Sequence, residues 1–139
     1  MLKNISPVIS PELLKIMSEM GHGDEIVIGD ANFPAVTCAK RLVRMDGISG
    51  TEALDAIMQL FPLDKVSNKN CCVMAVNNGE PTPAIWAEYN KIIDKYEGVR
   101  LLEEVERFAF YERAKNAFAV VQTGEKALYA NIILKKGPL

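Results

Sequence analysis

A single histidine stands in the 139 residues, and it lies between two glycines in Gly21-His22-Gly23. Imidazole is the side chain whose ordinary pKa suits proton exchange near neutral pH. Its glycine neighbours permit unusual dihedrals and close backbone approach. His22 therefore reads as a proton carrier, or else as a cap on the carbonyls that end the helix before it. Asp30 follows the apolar run Ile26-Val27-Ile28. It reads as a ligand-binding carboxylate, or as a turn residue that bonds its own backbone. Arg107 opens the aromatic segment Arg107-Phe108-Ala109-Phe110-Tyr111. Its planar fork of donors suits a polar ligand; the alternative is a stem packed on Phe110 with the head in water. Tyr129 and Asn131 are two residues apart, so on a strand they share a face. A phenol beside an amide is a good hydroxyl-binding pair, and equally an ordinary pair on a solvated edge.

Other chemistries find no support. Cys38, Cys71 and Cys72 are odd in number and form no Cys-x-x-Cys, so neither a disulfide framework nor a metal site is expected. Inert, reduced core thiols in a cytoplasmic protein fit that pattern. There is no Gly-x-Gly-x-x-Gly, no phosphate-cradling loop and no Gly-x-Ser-x-Gly elbow. The net charge of −2 argues against a dedicated nucleic-acid binder. No apolar run approaches the roughly 18 residues of a membrane span, and Met1 to Pro7 does not have the pattern of a signal peptide.

The composition, 49% hydrophobic and 24% charged, is that of an ordinary globular chain. With no repeat or linker-like tract, one domain over residues 1–139 is expected. Ser10-Pro11-Glu12 opens a helix with Leu13, Leu14, Met17 and Met20 on one face, and Gly21 stops it. Glu25 to Gly29 reads as a strand. Val36 to Arg44 is ambiguous and ends in a possible short strand. Ser49 and Glu52 have capping-box spacing before a helix carrying Leu54, Ile57, Met58 and Phe61. Cys71 to Val76 reads as a strand, and Thr82-Pro83 opens a helix with Ile85, Tyr89, Ile92 and Tyr96 at spacings of three and four. Trp86 on that helix reads as a core or subunit contact. Val99 to Val105 has strand character weakened by Glu103 and Glu104, and those acids with Glu106 read as solvated surface. Phe108 to Phe118 is helical. Ala119 to Val121 and Tyr129 to Leu134 are the last strands. Helices alternating with nearly all-apolar strands predict a three-layer α/β fold, its sheet largely parallel with helices on both faces. Asp30 then falls at a strand's carboxyl end, where such folds bind ligands.

Several segments together resemble the L-fucose mutarotase / D-ribose pyranase family. They are Ile5-Ser6-Pro7 with Ile9-Ser10-Pro11-Glu12-Leu13-Leu14, Met20-Gly21-His22-Gly23-Asp24-Glu25, Asp30-Ala31-Asn32-Phe33-Pro34, and Thr123-Gly124-Glu125 leading to Tyr129-Ala130-Asn131-Ile132-Ile133. The run Arg107-Phe108-Ala109-Phe110-Tyr111-Glu112-Arg113-Ala114 is similar to the fucose branch and not the ribose branch. The resemblance implies an enzyme that interconverts the α and β anomers of free L-fucose, with no cofactor and no metal. It implies His22 as the acid/base residue, with Asp30, Arg107, Tyr129, Asn131 and the backbone of Ala130 holding the sugar. It also implies a homo-oligomeric ring, a decamer of two pentamers, with sites near subunit boundaries. The 6-deoxy methyl would need an apolar wall, for which Phe108, Phe110 and Tyr111 are candidates. A ribose-directed pyranase and a non-catalytic sugar-binding ring are the alternatives.

Overall fold

A computed structural model describes residues 1–67, 69–98 and 102–139. The first helix, α1 (Pro11–Glu19), starts as its residues dictate: Ser10 Oγ accepts the Leu13 N–H at 3.1 Å and Pro11 occupies the first turn. Leu13, Ile16 and Met17 are its buried face. Beyond it the chain turns through Gly23, whose φ of 91° suits glycine, into β1 (Glu25–Gly29). The ambiguous stretch resolves into a one-turn helix α2 (Ala35–Cys38) and a strand β2 (Leu42–Met45). Ser49 caps α3 (Gly50–Met58) by accepting the Glu52 N–H. Then come β3 (Cys71–Met74), α4 (Ala84–Glu97), β4 (Glu103–Val105), α5 (Arg107–Asn116), β5 (Ala119–Thr123) and β6 (Ile132–Lys135). Part of the predicted Val99–Val105 strand, residues 99–101, lies outside the described residues.

The strands form one sheet in the order β2-β5-β1-β6-β3-β4. Five run the same way and β6 alone runs against its neighbours β1 and β3. The sheet is thus mixed but largely parallel. Every residue of β3 and β5 is buried, as expected where both faces are covered. One face carries α1, α3 and α4, whose Leu13, Leu54, Ile57, Tyr89 and Ile93 pack with Ile26, Ile28, Val73, Val121 and Ile132. The other face carries α2 and α5, where Cys38, Phe110 and Ala114 pack with Val27, Cys72, Val120 and Ile133. All three cysteines are buried. Among the described residues, no helix is long and apolar enough to cross a membrane.

Three local expectations need correction. The last strand starts at Ile132, because Tyr129 has left-handed backbone (φ 56°) and the carbonyls of Tyr129 and Ala130 are taken by side chains of α4. Glu106 is not merely solvated: its carboxylate caps α5 by accepting the N–H groups of Phe108 and Ala109. Glu103 is half-buried and faces Lys69 and Arg113 at 3.7 and 3.8 Å.

Candidate functional site at two ends of the central strand

At the carboxyl end of β1, Asp30 is only 4% exposed. Burial pushes its carboxyl above the usual carboxylate range; N–H groups of Asn32, Ala130 and Phe33, with the Asn131 amide, act in the opposite direction. The Asn32 N–H reaches Asp30 Oδ1 at 2.9 Å. Asn131 grips the same residue twice over, since its Oδ1 also accepts the Asp30 N–H at 2.8 Å. From β5, Gln122 Nε2 donates to the Asp30 carbonyl and Thr123 Oγ1 to the Gly29 carbonyl, both at 2.6 Å. The carboxylate is therefore fixed before any ligand arrives.

Tyr129, next to Ala130 in the chain, and Arg107, at the start of α5, lie at the same end of the sheet and feel one another. The Tyr129 phenol hydrogen-bonds Glu80 and the Asn77 backbone; the Glu80 contact leads in raising its pKa. Arg107, at the start of α5, is held charged first by the phenol of Tyr111, and it also feels Tyr129. Its guanidinium lies 5.8 Å from the ring centres of both Phe108 and Tyr111. The pairing of Arg107 with aromatics is thus present, but with Phe108 and Tyr111 instead of Phe110. Phe110 is fully buried against the sheet, so it cannot wall a ligand. Phe108 is 69% exposed, and Tyr111 bridges Phe108 and Phe33. A cleft of about 440 Å³ opens next to Tyr129, lined by Glu80, Pro83, Ile85, Ala127 and Leu128. The backbone of Ala130 is already committed: its N–H to Asp30, its carbonyl to Tyr89.

His22 is elsewhere. It precedes β1 whereas Asp30 follows it, so the strand's five residues separate them by roughly 17 Å. Asp30 does not orient this imidazole. Asp64 does: His22 Nε2 lies 3.2 Å from Asp64 Oδ1. The imidazole is 51% exposed and the carboxylate 6%. The Val66 N–H, and then His22, hold the Asp64 carboxyl below its usual range. Asp64 is brought there by a bridge between Leu63 and Lys136, at the end of β6. Lys136 also clamps the His22 joint: its Nζ donates to the Met17 and Met20 carbonyls, and its carbonyl accepts the Gly23 N–H. A depression of about 600 Å³ lies beside His22, bounded by Met17, Met20, Leu60, Pro62 and Lys136. With Nε2 on a carboxylate, Nδ1 is the nitrogen suited to accept a proton.

One chain therefore gathers Asp30, Arg107, Tyr129 and Asn131 at one sheet end and holds His22 at the other. Asp64, Gln122, Thr123 and Glu80 escape sequence reasoning. Asp64 ends the apolar run Phe61-Pro62-Leu63, and Gln122-Thr123 are polar residues closing an apolar strand; those are the signals that could have found them.

Residues 3–139 match the RbsD / FucU transport protein family. The chain is 47% identical to the human fucose mutarotase, with 99% of this chain and 94% of that one aligned. It superposes on a fucose mutarotase from Streptococcus pneumoniae, solved in complex with L-fucose, with a TM-score of 0.95, 47% identity and 99% of each chain covered. A RbsD from Bacillus subtilis solved with D-ribose is more distant, at 25% identity and TM-score 0.71 over 100% of this chain and 99% of that one.

Proposed function

Because this chain belongs to the RbsD / FucU family, we propose that it is a fucose mutarotase: an isomerase that interconverts the α and β anomers of free L-fucose. The observation that carries this reading is 47% identity, across 99% of both chains, to a fucose mutarotase that holds L-fucose. The reaction opens the pyranose ring and recloses it on the other face. His22 Nδ1 takes the proton of the anomeric hydroxyl. As the C1–O bond to the ring oxygen breaks, a carbonyl forms at C1 and the ring oxygen takes a proton from the imidazolium or from solvent. Rotation about C1–C2 and the reverse steps give the other anomer, and the imidazole returns to its first state. Acid/base assistance of this kind is worth about 10² to 10⁴-fold.

Asp30, Arg107, Tyr129 and Asn131 bind the sugar hydroxyls. The Asp30 carboxylate makes the charge-assisted bond, and its fixed N–H neighbours support a preorganised cradle. The Asp64 contact supports a fixed ring orientation for His22. In the free state the Ala130 N–H is used by Asp30, so a backbone contact to the sugar from Ala130 requires sharing that donor. The separation of His22 from the cradle supports a homo-oligomer in which the histidine of one copy serves the cradle of another; the pentamer-based decamer is what the family resemblance implies. The working unit is the one domain over residues 1–139, and three buried cysteines, odd in number and without Cys-x-x-Cys spacing, support a cytoplasmic location. Saturation-transfer NMR on L-fucose, D-ribose and D-galactose tests the proposal. Faster exchange on L-fucose is expected. Faster exchange on D-ribose alone would redirect it to pyranase chemistry, and saturable binding without faster exchange would make the protein a sugar-binding module.

A further inference from the structure

The turn that presents Tyr129 and Asn131 is held by α4 through consecutive carbonyls. Trp86 Nε1 donates to the Tyr129 carbonyl at 2.8 Å, and Tyr89 Oη donates to the Ala130 carbonyl at 2.9 Å. Tyr129 needs such support, since its φ of 56° is a left-handed conformation that tyrosine rarely adopts. Residues in this region persist where surrounding contacts over-determine them. Tyr89 is wholly buried, and Trp86 nearly so. The Tyr89 hydroxyl reaches its carbonyl only because α3 begins with Gly50. A Cβ at Gly50 would collide with that hydroxyl and press on the Glu125 side chain. The same turn is tied from the other side by Glu125, whose carboxylate accepts the Gly50 and Ala127 N–H groups.

We infer that Trp86 and Tyr89 are positioning residues for sugar recognition: they set the backbone of the Tyr129–Asn131 turn and so the aim of its phenol and amide. Gly50 is the space that this device requires. The inference rests on the proposed sugar site and goes beyond it, because neither α4 side chain is assigned a contact with the ligand. Trp86 is also the only tryptophan in the chain, and its indole N–H bonds the backbone of a sugar-binding residue. Its emission should respond when the turn is loaded.

The test measures L-fucose binding by Trp86 emission and by calorimetry, and exchange by saturation-transfer NMR, on the wild type, Tyr89→Phe, Gly50→Ala and the double variant. The wild type should show an emission change that saturates with the calorimetric Kd. Tyr89→Phe keeps the ring and removes only the donor. It should raise Kd and KM about fivefold while kcat stays within twofold. A purely structural role would instead lower the melting temperature and leave the KM of the folded enzyme unchanged. Gly50→Ala should weaken binding similarly in the wild-type background, and most of that effect should vanish once the Tyr89 hydroxyl is gone. Unchanged Kd and KM in both single variants would overturn the inference alone. Binding without exchange in the wild type would overturn the mutarotase reading while leaving this inference to the Kd values. No binding of L-fucose at all would overturn both.

Discussion

The two ends of β1 are built in opposite ways. At the carboxyl end, a nearly buried carboxylate is surrounded by N–H donors from its own loop and from the Tyr129–Asn131 turn, and β5 side chains lock the carbonyls of Gly29 and Asp30. At the amino end, a half-exposed imidazole touches one carboxylate, on a joint clamped by Lys136. The first arrangement suits binding, which gains from preorganised polar groups. The second suits proton transfer, which needs an accessible base held in a fixed orientation. What the contrast teaches is that one chain keeps its polar cradle and its accessible imidazole on separate surfaces, so the proposed reaction calls for a second copy to bring them together.

The largest effect should come from His22→Gln. Exchange should fall by about 10² to 10⁴-fold, with L-fucose affinity near that of the wild type. An unchanged exchange rate would remove the imidazole from the reaction. Next, the division of labour can be broken directly by co-expressing His22→Gln with Asp30→Asn. If each site joins two copies, half the histidines and half the cradles are intact, and about one quarter of sites regain both. A mixed assembly no more active than either variant alone would mean that each chain works by itself. Arg107→Ala sharpens the other side of the comparison. Loss of a charged donor from the cradle should raise KM by about tenfold, with a smaller change in kcat than His22→Gln produces. A variant that loses kcat at constant KM would move Arg107 from binding to chemistry.

The order of helices and strands was readable because it rests on local signals. Ser10 and Ser49 cap the helices that follow them, and the β-branched run at Ile26 to Ile28 is fully buried. Asp30 was readable for the same reason, as a polar residue just past a strand. For Tyr129 and Asn131 only the resemblance of the Tyr-x-Asn-Ile element holds as a signal: they do not alternate along a strand, but sit on a left-handed turn whose shape depends on α4, more than 30 residues earlier. Asp64 was illegible because its meeting with His22 spans 42 residues and depends on pairing between Leu63 and Lys136. Non-local hydrogen bonds leave no periodic trace in a sequence. Phe110 and Phe108 show the remaining ambiguity: two residues apart on α5, one is wholly buried and the other 69% exposed, and only the sheet's position distinguishes them.

The smallest predicted effect tests whether the cradle at the carboxyl end is held at a cost to stability. Burial raises the Asp30 carboxyl above its ordinary value of 3.8. In the pH window between its unfolded and folded pKa, the native chain binds the proton more tightly than the unfolded chain does. The contribution of Asp30 to stability is therefore most favourable at acid pH, declines as pH rises through the raised value, and is flat above it. Asp64 has the opposite sign: its depressed pKa gives stability that is present above the unfolded value and lost as pH falls through the folded one. Asp30→Asn removes the first term and leaves the second. Thermal unfolding of the two proteins between about pH 4 and pH 7 should thus show the melting temperature of Asp30→Asn gaining on the wild type by a few degrees as pH increases. A difference that stays constant across that range would mean that the N–H donors around Asp30 fully offset its burial, and that the cradle is preorganised without being strained.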